Sequence, residues 1–419
     1  MVLEIRIGNF FSIRDEVVLD FRAANIKSAN AIALAGNTFE QNKTNVLKTI
    51  VLYGANASGK SNIIKTIRFC HAMVFESHLH NENTVYNFQP FKFAGYDNKP
   101  SSYFIRFLSN GIEYEYAFSL SRQSILTESL YYYPKGRITK IFTRDERLGK
   151  TKKEKYSFGE KIKRPMDVAE NTSDKTLYIS RASQMDREIG KEIFNYFHDQ
   201  FILDYVGFGA SAIEALSNQD KQQLIEAIRI ADSDITDVRI KVLKKPVKHY
   251  NADVTNMTLS VEDVVQNYLE IKTYHNAAPS VSFNFLTEES QGTIKLFFIM
   301  LTILDVVRNN KVLLIDEIED SLHPKIIDYL FKIFRTGDYA QLLCTTHNTS
   351  LLDLKRFRKD QIYFANKKSD GSTDLYSLYD YSDFRDTMDL EKAYLQGRFD
   401  AVPFVNDSQE KIKTLVHGQ

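Results

Sequence analysis

The sequence feature that most constrains the fold of this chain is a glycine-bounded loop at residues 54–61, Gly-Ala-Asn-Ala-Ser-Gly-Lys-Ser. The apolar run Thr49–Tyr53 before it predicts a buried strand, and the segment from Ser61 to about Val74 predicts a helix with an apolar face. Glycines let the backbone curl, so its N–H groups and the N-terminus of the helix point at a phosphate group. The spacing G-x-x-x-x-G-K-[ST] between a strand and a helix therefore predicts a phosphate-binding loop, the P-loop.

The polar groups of the P-loop have predicted roles in binding ATP and Mg²⁺. The ammonium group of Lys60 is expected to bind the β- and γ-phosphates, and Lys60 is also a predicted catalytic residue. The hydroxyl of Ser61 is a predicted Mg²⁺ ligand. The predicted nucleotide-binding residues of this segment are Gly54, Asn56, Ala57, Ser58, Gly59, Lys60, Ser61 and Asn62.

A second predicted strand ends in two carboxylates. The apolar run Val312–Ile315 is followed directly by Asp316 and Glu317. Apolar strands often end in acids, but downstream of a complete P-loop this pattern indicates a Walker B element. We expect Asp316 to hold Mg²⁺, usually through water, and Glu317 to polarise the attacking water as a catalytic residue.

Two further segments lie where a phosphate could be bound. Ser290 and Gly292 precede and open a long apolar helix, Gln291–Val307, and a hydroxyl, a small residue and a helix N-terminus together predict a second anion site. His347 follows the apolar run Gln341–Thr345, a predicted buried strand. Open α/β sheets bind ligands at the carboxyl ends of such strands, which favours a functional histidine over a structural one.

These motifs resemble those of ABC/SMC-type ATPases. Glu289–Thr293 is similar to the transporter signature Leu-Ser-Gly-Gly-Gln, although it lacks the Leu and the final Gln, and Ser321–Pro324 stands where a D-loop belongs. The resemblance implies that His347 is the catalytic switch histidine at the γ-phosphate, and that Ser290 and Gly292 complete the ATP site of a partner chain. It also makes Gln89 the candidate Mg²⁺ ligand of the Q-loop.

Within that class, the chain resembles the RloA/AbiL-like ATPases of bacterial abortive infection and phage defence, which are distant relatives of OLD and SMC heads. The residues that carry this resemblance are Asn9–Asp15, Gly54–Asn62, Glu289–Thr293, Asp316–Pro324 and Tyr394–Phe399. It implies a role in phage defence and a separately encoded effector, a nuclease or toxin. Little chain follows His347, so a TOPRIM nuclease domain is not expected here.

Buried strands that alternate with helices predict an α/β fold with a mostly parallel sheet. We expect a P-loop NTPase with an ABC-type head and a mixed β and helical insertion. The head comprises residues 1–80 and 275–400, the insertion residues 81–274, and a C-terminal tail residues 401–419. No apolar run is long enough to span a membrane, and two distant cysteines without a signal peptide favour the cytoplasm.

Charge leaves the question of nucleic-acid binding open. The chain has 54 Lys and Arg against 54 Asp and Glu, so its net charge predicts no such affinity. The stretch from Lys135 to Arg164, however, holds 12 Lys and Arg against 4 Asp and Glu. Its part from Lys150 to Arg164 is the candidate contact for nucleic acid, and a solvated basic loop explains the pattern equally well.

Three functional hypotheses follow. The first is a Mg-ATP-driven switch, a homodimer or higher homo-oligomer that senses infection and controls a separate effector. The second is a DNA-binding ATPase of the SMC or repair type. The third is a nucleotide-gated scaffold with negligible turnover, which the presence of Glu317 disfavours.

Overall fold

The computed structural model describes residues 1–203, 213, 217–231, 234–253, 258–385, 387–402 and 409–417. They belong to two compact units. Unit 1 comprises Met1–Leu203, Asn309–Glu319 and Phe331–Gln419. Unit 2 comprises Asp204–Arg308 and Asp320–Leu330. No helix in the described ranges is long and apolar enough to cross a membrane.

Eighteen strands are formed by the described residues. They are β1 (Val2–Gly8), β2 (Val17–Asp20), β3 (Thr38–Gln41), β4 (Thr44–Leu47), β5 (Thr49–Tyr53), β6 (Ser101–Ser109), β7 (Ile112–Leu120), β8 (Ile125–Tyr132), β9 (Thr139–Asp145), β10 (Tyr156–Phe158), β11 (Phe201–Ile202), β12 (Ile235–Asp253), β13 (Thr258–His275), β14 (Ala278–Asn284), β15 (Val312–Ile315), β16 (Gln341–Thr345), β17 (Ile362–Lys367) and β18 (Thr373–Ser377).

The α-helices of the same residues vary widely in length. They are α1 (Ala29–Ala33), α2 (Lys60–Glu76), α3 (Lys152–Lys155), α4 (Pro165–Glu170), α5 (Tyr178–Gln184), α6 (Glu188–Gln200), α7 (Asn218–Ala231), α8 (Phe285–Glu288), α9 (Gln291–Arg308), α10 (Pro324–Thr336), α11 (Leu390–Leu395) and α12 (Gln409–His417).

A six-stranded sheet of unit 1 positions the P-loop. Its order is β11-β15-β16-β5-β17-β18, and all neighbours are parallel except β17 and β18. Every residue of β5, β15 and β16 is buried, as expected for strands covered on both faces. Ile315 pairs with Cys344, and Thr345 pairs with Leu52, so the carboxyl ends of β15, β16 and β5 lie side by side. The α/β fold class is confirmed.

A seven-stranded antiparallel sheet forms the second layer of unit 1. Its order is β10-β9-β8-β7-β6-β1-β2. Burial alternates along β6 and β7, so that Tyr103, Ile105 and Phe107 face the core with Tyr114 and Tyr116. Strand β1 pairs with β6, which joins the N-terminal strands to residues of the predicted insertion. The boundaries of head and insertion stay a prediction.

Unit 2 contains a three-stranded antiparallel sheet, β12-β13-β14, in which β14 pairs only with the end of β13, so that β12 and β13 extend from it as a long ribbon. Strands β12 and β13 pair antiparallel over almost their whole length, from Ile235 opposite His275 to Asp253 opposite Thr258. The sequence predicts only short strands here and places Pro246 in a basic run. Pro246 in fact lies within β12 opposite Val265, in a position open to solvent where a missing N–H costs the ribbon little. Strand β11 lies between α6 and α7 in the sequence and adds to the parallel sheet at β15.

Candidate active site

The P-loop joins β5 to α2 through backbone shapes that favour glycine. Gly59 has φ +104°, and a Cβ there would overlap the Thr373 hydroxyl. A Cβ on Gly54 would overlap the carbonyl oxygen of Ala365 on β17. Ala57, at the exposed tip of the loop with Asn56, also has a positive φ, 63°. The two glycines are therefore required by the close approach of β17 and β18 to the loop.

Lys60 is held inside the P-loop. Its ammonium group donates hydrogen bonds to the carbonyl oxygens of Gly54 at 2.7 Å and Ala55 at 3.0 Å. The residue is only 7% exposed, and burial lowers the pKa of its ammonium group, although the nearby acids Glu319, Glu317 and Asp316 oppose that shift. The positive charge thus lies close to three carboxylates at the ends of the parallel strands.

Asp316 joins the end of β15 to helix α2 and to strand β16. Its Oδ1 accepts hydrogen bonds from Ser61 Oγ on α2, at 3.1 Å, and from Thr345 Oγ1 on β16, at 2.6 Å. The structure therefore brings together Ser61 and Asp316, which the sequence predicts as the Mg²⁺ ligands. Thr345 is not a predicted site residue, because a threonine at the end of an apolar strand gives no signal of its own.

Glu317 is exposed and has a left-handed backbone, φ 52°. Such a conformation costs about 1–3 kcal/mol for a residue with a side chain. It is held by hydrogen bonds to β16, since the Glu317 N–H donates to Thr345 Oγ1 at 2.7 Å and the Ile318 N–H donates to the Thr345 carbonyl at 3.1 Å. The strained backbone turns the Glu317 side chain away from the strand direction and out toward solvent.

Glu319, in the acidic segment Asp316–Asp320, contacts His347. The Glu319 side chain is 9% exposed, whereas that of His347 is 52% exposed. Glu319 Oε1 accepts the His347 N–H at 2.6 Å and lies 2.9 Å from His347 Nδ1. Its other oxygen, Oε2, is buried, and no described residue forms a hydrogen bond with it. Sequence reasoning missed Glu319, although its place two residues after Glu317 at a strand end was an available signal.

A chain of hydroxyl groups supports the P-loop from outside. Asn62 Nδ2 donates to Ser12 Oγ at 2.7 Å, and Ser12 Oγ lies 2.7 Å from Thr373 Oγ1. Thr373 Oγ1 donates in turn to the carbonyl oxygen of Ser58 at 2.9 Å. Asn62, predicted to bind nucleotide, thus contacts Ser12 of the segment Asn9–Asp15, which carries the family resemblance, whereas Thr373 belongs to no predicted motif.

Ser290 and Gly292 lie in unit 2, at the N-terminus of α9. Ser290 is exposed, and its Oγ accepts the Thr293 N–H at 3.1 Å, the geometry of a helix cap. A Cβ on Gly292 would stand 2.8 Å from the carbonyl oxygen of Ser321, so this glycine allows the close approach of the D-loop segment. The predicted second anion site is thus an exposed, capped helix N-terminus beside Ser321.

Gln89 is placed by its backbone. Its carbonyl oxygen accepts the Phe11 N–H at 2.6 Å, and its side chain is partly exposed. The contacts of the described residues do not join that side chain to Ser61 or Asp316, so its role as a Mg²⁺ ligand stays a prediction.

The chemistry of these residues fits Mg-ATP. Ser61 Oγ and Asp316 Oδ1 are adjacent oxygen atoms, the ligand type that Mg²⁺ prefers. Ser58 Oγ is buried in the loop and has no hydrogen-bond partner among the residues that the structure describes, which leaves a polar group available to a bound phosphate. Lys60 and the N-terminus of α2 add positive charge at the same place.

Comparisons with known proteins give one family match and several structural neighbours. Residues 50–353 match a family described as "AAA domain, putative AbiEii toxin, Type IV TA system". A solved structure, "Crystal structure of the SmcHead bound to the C-winged helix domain of ScpA", is 14% identical with a TM-score of 0.41, covering 94% of this chain and 99% of that one. The SMC head domain from Thermotoga maritima is 13% identical with a TM-score of 0.40, covering 90% and 98%. No curated protein matches the sequence. The family match covers most of the chain and includes Lys60, Asp316 and His347, so the chain belongs to this family of AAA-domain ATPases.

Proposed function

We propose that this chain is an ABC-type ATPase that uses Mg-ATP to drive a switch between separate and paired copies of itself. The observation that carries the proposal is the shared contact at Asp316, where Ser61 of the P-loop helix and Thr345 of β16 donate to one carboxylate oxygen beside Lys60. Three separate stretches of the chain converge there on the atoms that Mg-ATP hydrolysis needs.

Each residue of this site has a distinct task in the proposed reaction. Ser61 and Asp316 would hold Mg²⁺, which supplies charge neutralisation between the phosphates. Lys60 gives up its contacts to Gly54 and Ala55 and binds the terminal phosphates. Glu317, exposed at the end of β15, accepts a hydrogen bond from the attacking water, and Glu319 orients His347 toward the γ-phosphate. Catalysis is then positioning and electrostatic stabilisation.

The second copy would complete the site. Ser290 and Gly292 stand at the exposed N-terminus of an 18-residue helix, α9, where the helix dipole favours negative charge. We propose that this end closes over the ATP held by the P-loop of the partner chain. Two such sites form in a head-to-tail homodimer, so that ATP binding closes the pair and hydrolysis opens it.

We propose further that the switch belongs to a bacterial anti-phage system of the abortive-infection type, where it controls a separately encoded effector. Support comes from the family description, which names a putative AbiEii toxin and a type IV toxin–antitoxin system. The segments Asp316–Pro324 and Tyr394–Phe399, which resemble RloA/AbiL-like ATPases, support the same assignment. A nuclease or toxin gene beside this one, with toxicity released by Lys60→Ala, is the expected genetic result. Toxicity that is the same with the wild-type chain and with Lys60→Ala would contradict the proposed role.

The ATPase itself is tested with three variants of the full chain. We expect Lys60→Ala to abolish ATP binding and Glu317→Gln to keep binding but lose phosphate release. Lys65→Ala, an exposed lysine on the same helix α2, is the matched control and should behave as wild type. Phosphate release that persists in Lys60→Ala would refute the proposal.

The second candidate function, a DNA-binding ATPase, is favoured by the ribbon of unit 2. Lys241, Lys244, Lys245 and Lys248 are all exposed on β12. A two-stranded ribbon fits the major groove of B-DNA, which is about 12 Å wide. In the predicted patch at 150–164, part of the positive charge is neutralised by ion pairs. Lys155 lies 2.8 Å from Glu146, and Lys161 lies 3.8 Å from Glu192.

DNA binding is tested by the salt dependence of duplex-stimulated ATPase activity. If the second function is correct, replacing the four ribbon lysines by glutamine should lower the stimulation and flatten its dependence on salt. The control replaces Lys150 and Lys153, two exposed lysines of the predicted patch. ATPase activity that duplex DNA leaves unchanged would exclude this candidate.

A further inference from the structure

The chain segment Asp389–Ala401, which we name the C-terminal strap, ends against the P-loop. The N–H of Ala55, the second residue of the loop, donates a hydrogen bond to the carbonyl oxygen of Ala401 at 2.9 Å. The hydroxyl of Tyr394 donates to the same oxygen at 3.0 Å. Ala401 is only 1% exposed. A backbone group of the P-loop is therefore held by a residue almost 350 positions away in the sequence.

A tight turn delivers Ala401 to this position. Helix α11 begins after Asp389, whose side chain accepts the Lys392 N–H at 3.0 Å. It ends in a left-handed Gly397, φ +78°. The Gly397 N–H bonds to the Tyr394 carbonyl at 2.9 Å, and the N–H of the next residue bonds to the Ala393 carbonyl at 3.1 Å. This pair of hydrogen bonds is the Schellman turn, which reverses the chain directly after the helix.

Phe399 fixes the strap after that turn. Its side chain is fully buried, and its ring stacks on Phe364 of β17 with centroids 4.8 Å apart and an 8° angle between planes. Tyr381 and Phe384 contact the same ring edge-on, at 5.2 Å and 5.4 Å. Phe364 also pairs in register with Tyr53, the residue that immediately precedes the P-loop. The strap thus packs on the strand that borders the start of the loop.

The start of the P-loop is consequently confined on two sides. Gly54 passes so close to the Ala365 carbonyl of β17 that a Cβ would overlap it, and Ala55 is hydrogen-bonded to the strap. The two carbonyl groups that bind Lys60 Nζ belong to these same residues, Gly54 and Ala55. A strap that leaves its place frees the Ala55 N–H and alters the position of both carbonyls.

We infer that the C-terminal strap positions the P-loop, so that docking of the strap and binding of ATP are thermodynamically coupled. The inference rests on the proposed ATP site and adds a regulatory element to it. Tyr394, Gly397 and Phe399 act as positioning residues, and each supplies one chemical feature of the segment 394–399: a hydroxyl donor, a left-handed turn and a buried ring. Because coupling is reciprocal, ATP also holds the strap in place.

The test uses two variants of the full chain with matched controls. Tyr394→Phe removes the hydroxyl that donates to the Ala401 carbonyl oxygen together with the Ala55 N–H. Phe399→Leu replaces the buried ring by a smaller aliphatic side chain. Tyr86→Phe is the control for the first, since the Tyr86 hydroxyl donates to a backbone carbonyl, that of Lys175, at 2.9 Å. Phe142→Leu is the control for the second, since Phe142 is a fully buried ring in the antiparallel sheet that contacts Tyr178.

Two quantities are measured on each protein: the Kd for Mg-ATP, and the hydrogen-exchange rate of the peptide that contains Ala55. We expect Tyr394→Phe to raise the Kd about fivefold, the effect of one hydrogen bond, and Phe399→Leu to raise it at least tenfold. Both should raise KM with little change in kcat, because Glu317 and His347 are untouched. Exchange at the P-loop peptide should accelerate, and the controls should stay within about twofold of wild type.

Reciprocal coupling is measured on the wild-type chain, where saturating ATP should slow exchange across the strap. In Phe399→Leu, hydrogen exchange of the strap could accelerate while the exchange of the P-loop peptide and the Kd for Mg-ATP match those of Phe142→Leu. That result would overturn the inference. If the wild-type chain binds no ATP, the proposed function fails, but the exchange of the P-loop peptide in Phe399→Leu still decides whether the strap positions the loop.

Discussion

At the scale of single residues, Glu319 has the least expected role in the site. It carries a nearly buried carboxylate that accepts the His347 N–H, lies against His347 Nδ1 and opposes the lowering of the Lys60 pKa. One side chain therefore faces both the residue that is proposed to bind phosphate and the residue that is proposed to sense it. A carboxylate beside Nδ1 selects the tautomer and the orientation of an imidazole, which leaves Nε2 for the substrate.

The first prediction concerns this pair. Glu319→Gln should lower kcat about tenfold, because the charged partner of His347 is lost, while the Kd for Mg-ATP changes little. Steady-state phosphate release and equilibrium binding measure the two quantities. Glu146→Gln is the control, since Glu146 has a similarly buried carboxylate, 10% exposed, in an ion pair with Arg144. An unchanged kcat in Glu319→Gln would remove Glu319 from the mechanism.

The second prediction concerns His71, which is fully buried with its ring between Phe197 and Phe201. Burial lowers the pKa of its imidazole from 6.5 to about 3. The folded chain then keeps His71 neutral while the unfolded chain binds a proton, so stability is lost as the pH falls from about 6.5 toward 3. From pH 7 to pH 5 this group should remove about 2 kcal/mol of unfolding free energy.

Urea unfolding of the wild-type chain and of His71→Phe at both pH values checks the sign and the size of this effect. The variant should lose about 2 kcal/mol less than the wild type between pH 7 and pH 5. His198→Phe, which replaces an exposed histidine, should keep the wild-type slope. Equal slopes for the wild type and His71→Phe would contradict the prediction.

Residue patterns predict part of this site and cannot predict the rest. The P-loop, Asp316, Glu317 and His347 are recognisable because each follows an apolar run that predicts a strand, and strand ends of a parallel sheet converge. Thr345 and Thr373 are not recognisable, because their part in the site depends on which strands are neighbours. Serine and threonine are frequent in every polar segment, so their type alone carries no information about that pairing.

At the scale of elements, burial decides how well the sequence predicts structure. The strands β5, β15 and β16 are uniformly apolar and are predicted almost to the residue, since both faces are covered. The sequence underestimates the length of strands β12 and β13, because most side chains at 241–248 and 263–268 are exposed and hydrophobic alternation is absent. The pairing of β1 with β6 joins residues about 100 positions apart, and nothing in local sequence encodes such a partner.

The third prediction belongs to the turn after α11. Gly397 has a left-handed backbone, and within the described part of the chain no atom lies within 4 Å of the place that a Cβ would take, so Gly397→Ala imposes a cost of about 1 kcal/mol from backbone strain. The strap should then dock less firmly, and limited proteolysis should cleave the chain between residues 389 and 401 several times faster. ATP should slow that cleavage, since it stabilises the docked strap.

Gly111→Ala provides an unusually close control for that experiment. Gly111 has φ +76°, similar to the +78° of Gly397, and lies in the hairpin turn between β6 and β7. A Cβ at Gly111 would likewise have no described atom within 4 Å. This variant should show the same strain without faster cleavage of the strap and without weaker ATP binding. Equal cleavage of the strap in both variants would mean that the turn at Gly397 has no specific role.

At the scale of the whole molecule, the predicted site residues belong to two different compact units. Lys60, Asp316 and His347 belong to unit 1, whereas Ser290 and Gly292 belong to unit 2. In the proposed reaction the residues of unit 1 hold Mg-ATP, and a second helix N-terminus at the γ-phosphate has to come from a unit 2. Pairing of two chains would supply it, and the energy of ATP binding could then be transmitted to an effector as a change of oligomeric state.

The fourth prediction tests that pairing. Glu317→Gln removes the proposed water-orienting carboxylate and keeps the ligands of Mg-ATP, so ATP should accumulate in the closed state and the variant should become a dimer at saturating ATP. Mass photometry with and without ATP measures the shift from one chain to two. A Glu317→Gln chain that remains monomeric at saturating ATP would refute the head-to-tail arrangement.

A second substitution separates pairing from nucleotide binding. Ser290→Arg in the Glu317→Gln background places a large cation at the N-terminus of α9, where it opposes the helix dipole, and removes a cap worth about 1 kcal/mol. This double variant should still bind ATP at its intact P-loop, with an apparent affinity that is lower only by the contribution of pairing, and should no longer dimerise. A double variant that still dimerises at saturating ATP would contradict the proposed placement of Ser290 at the nucleotide of the partner chain.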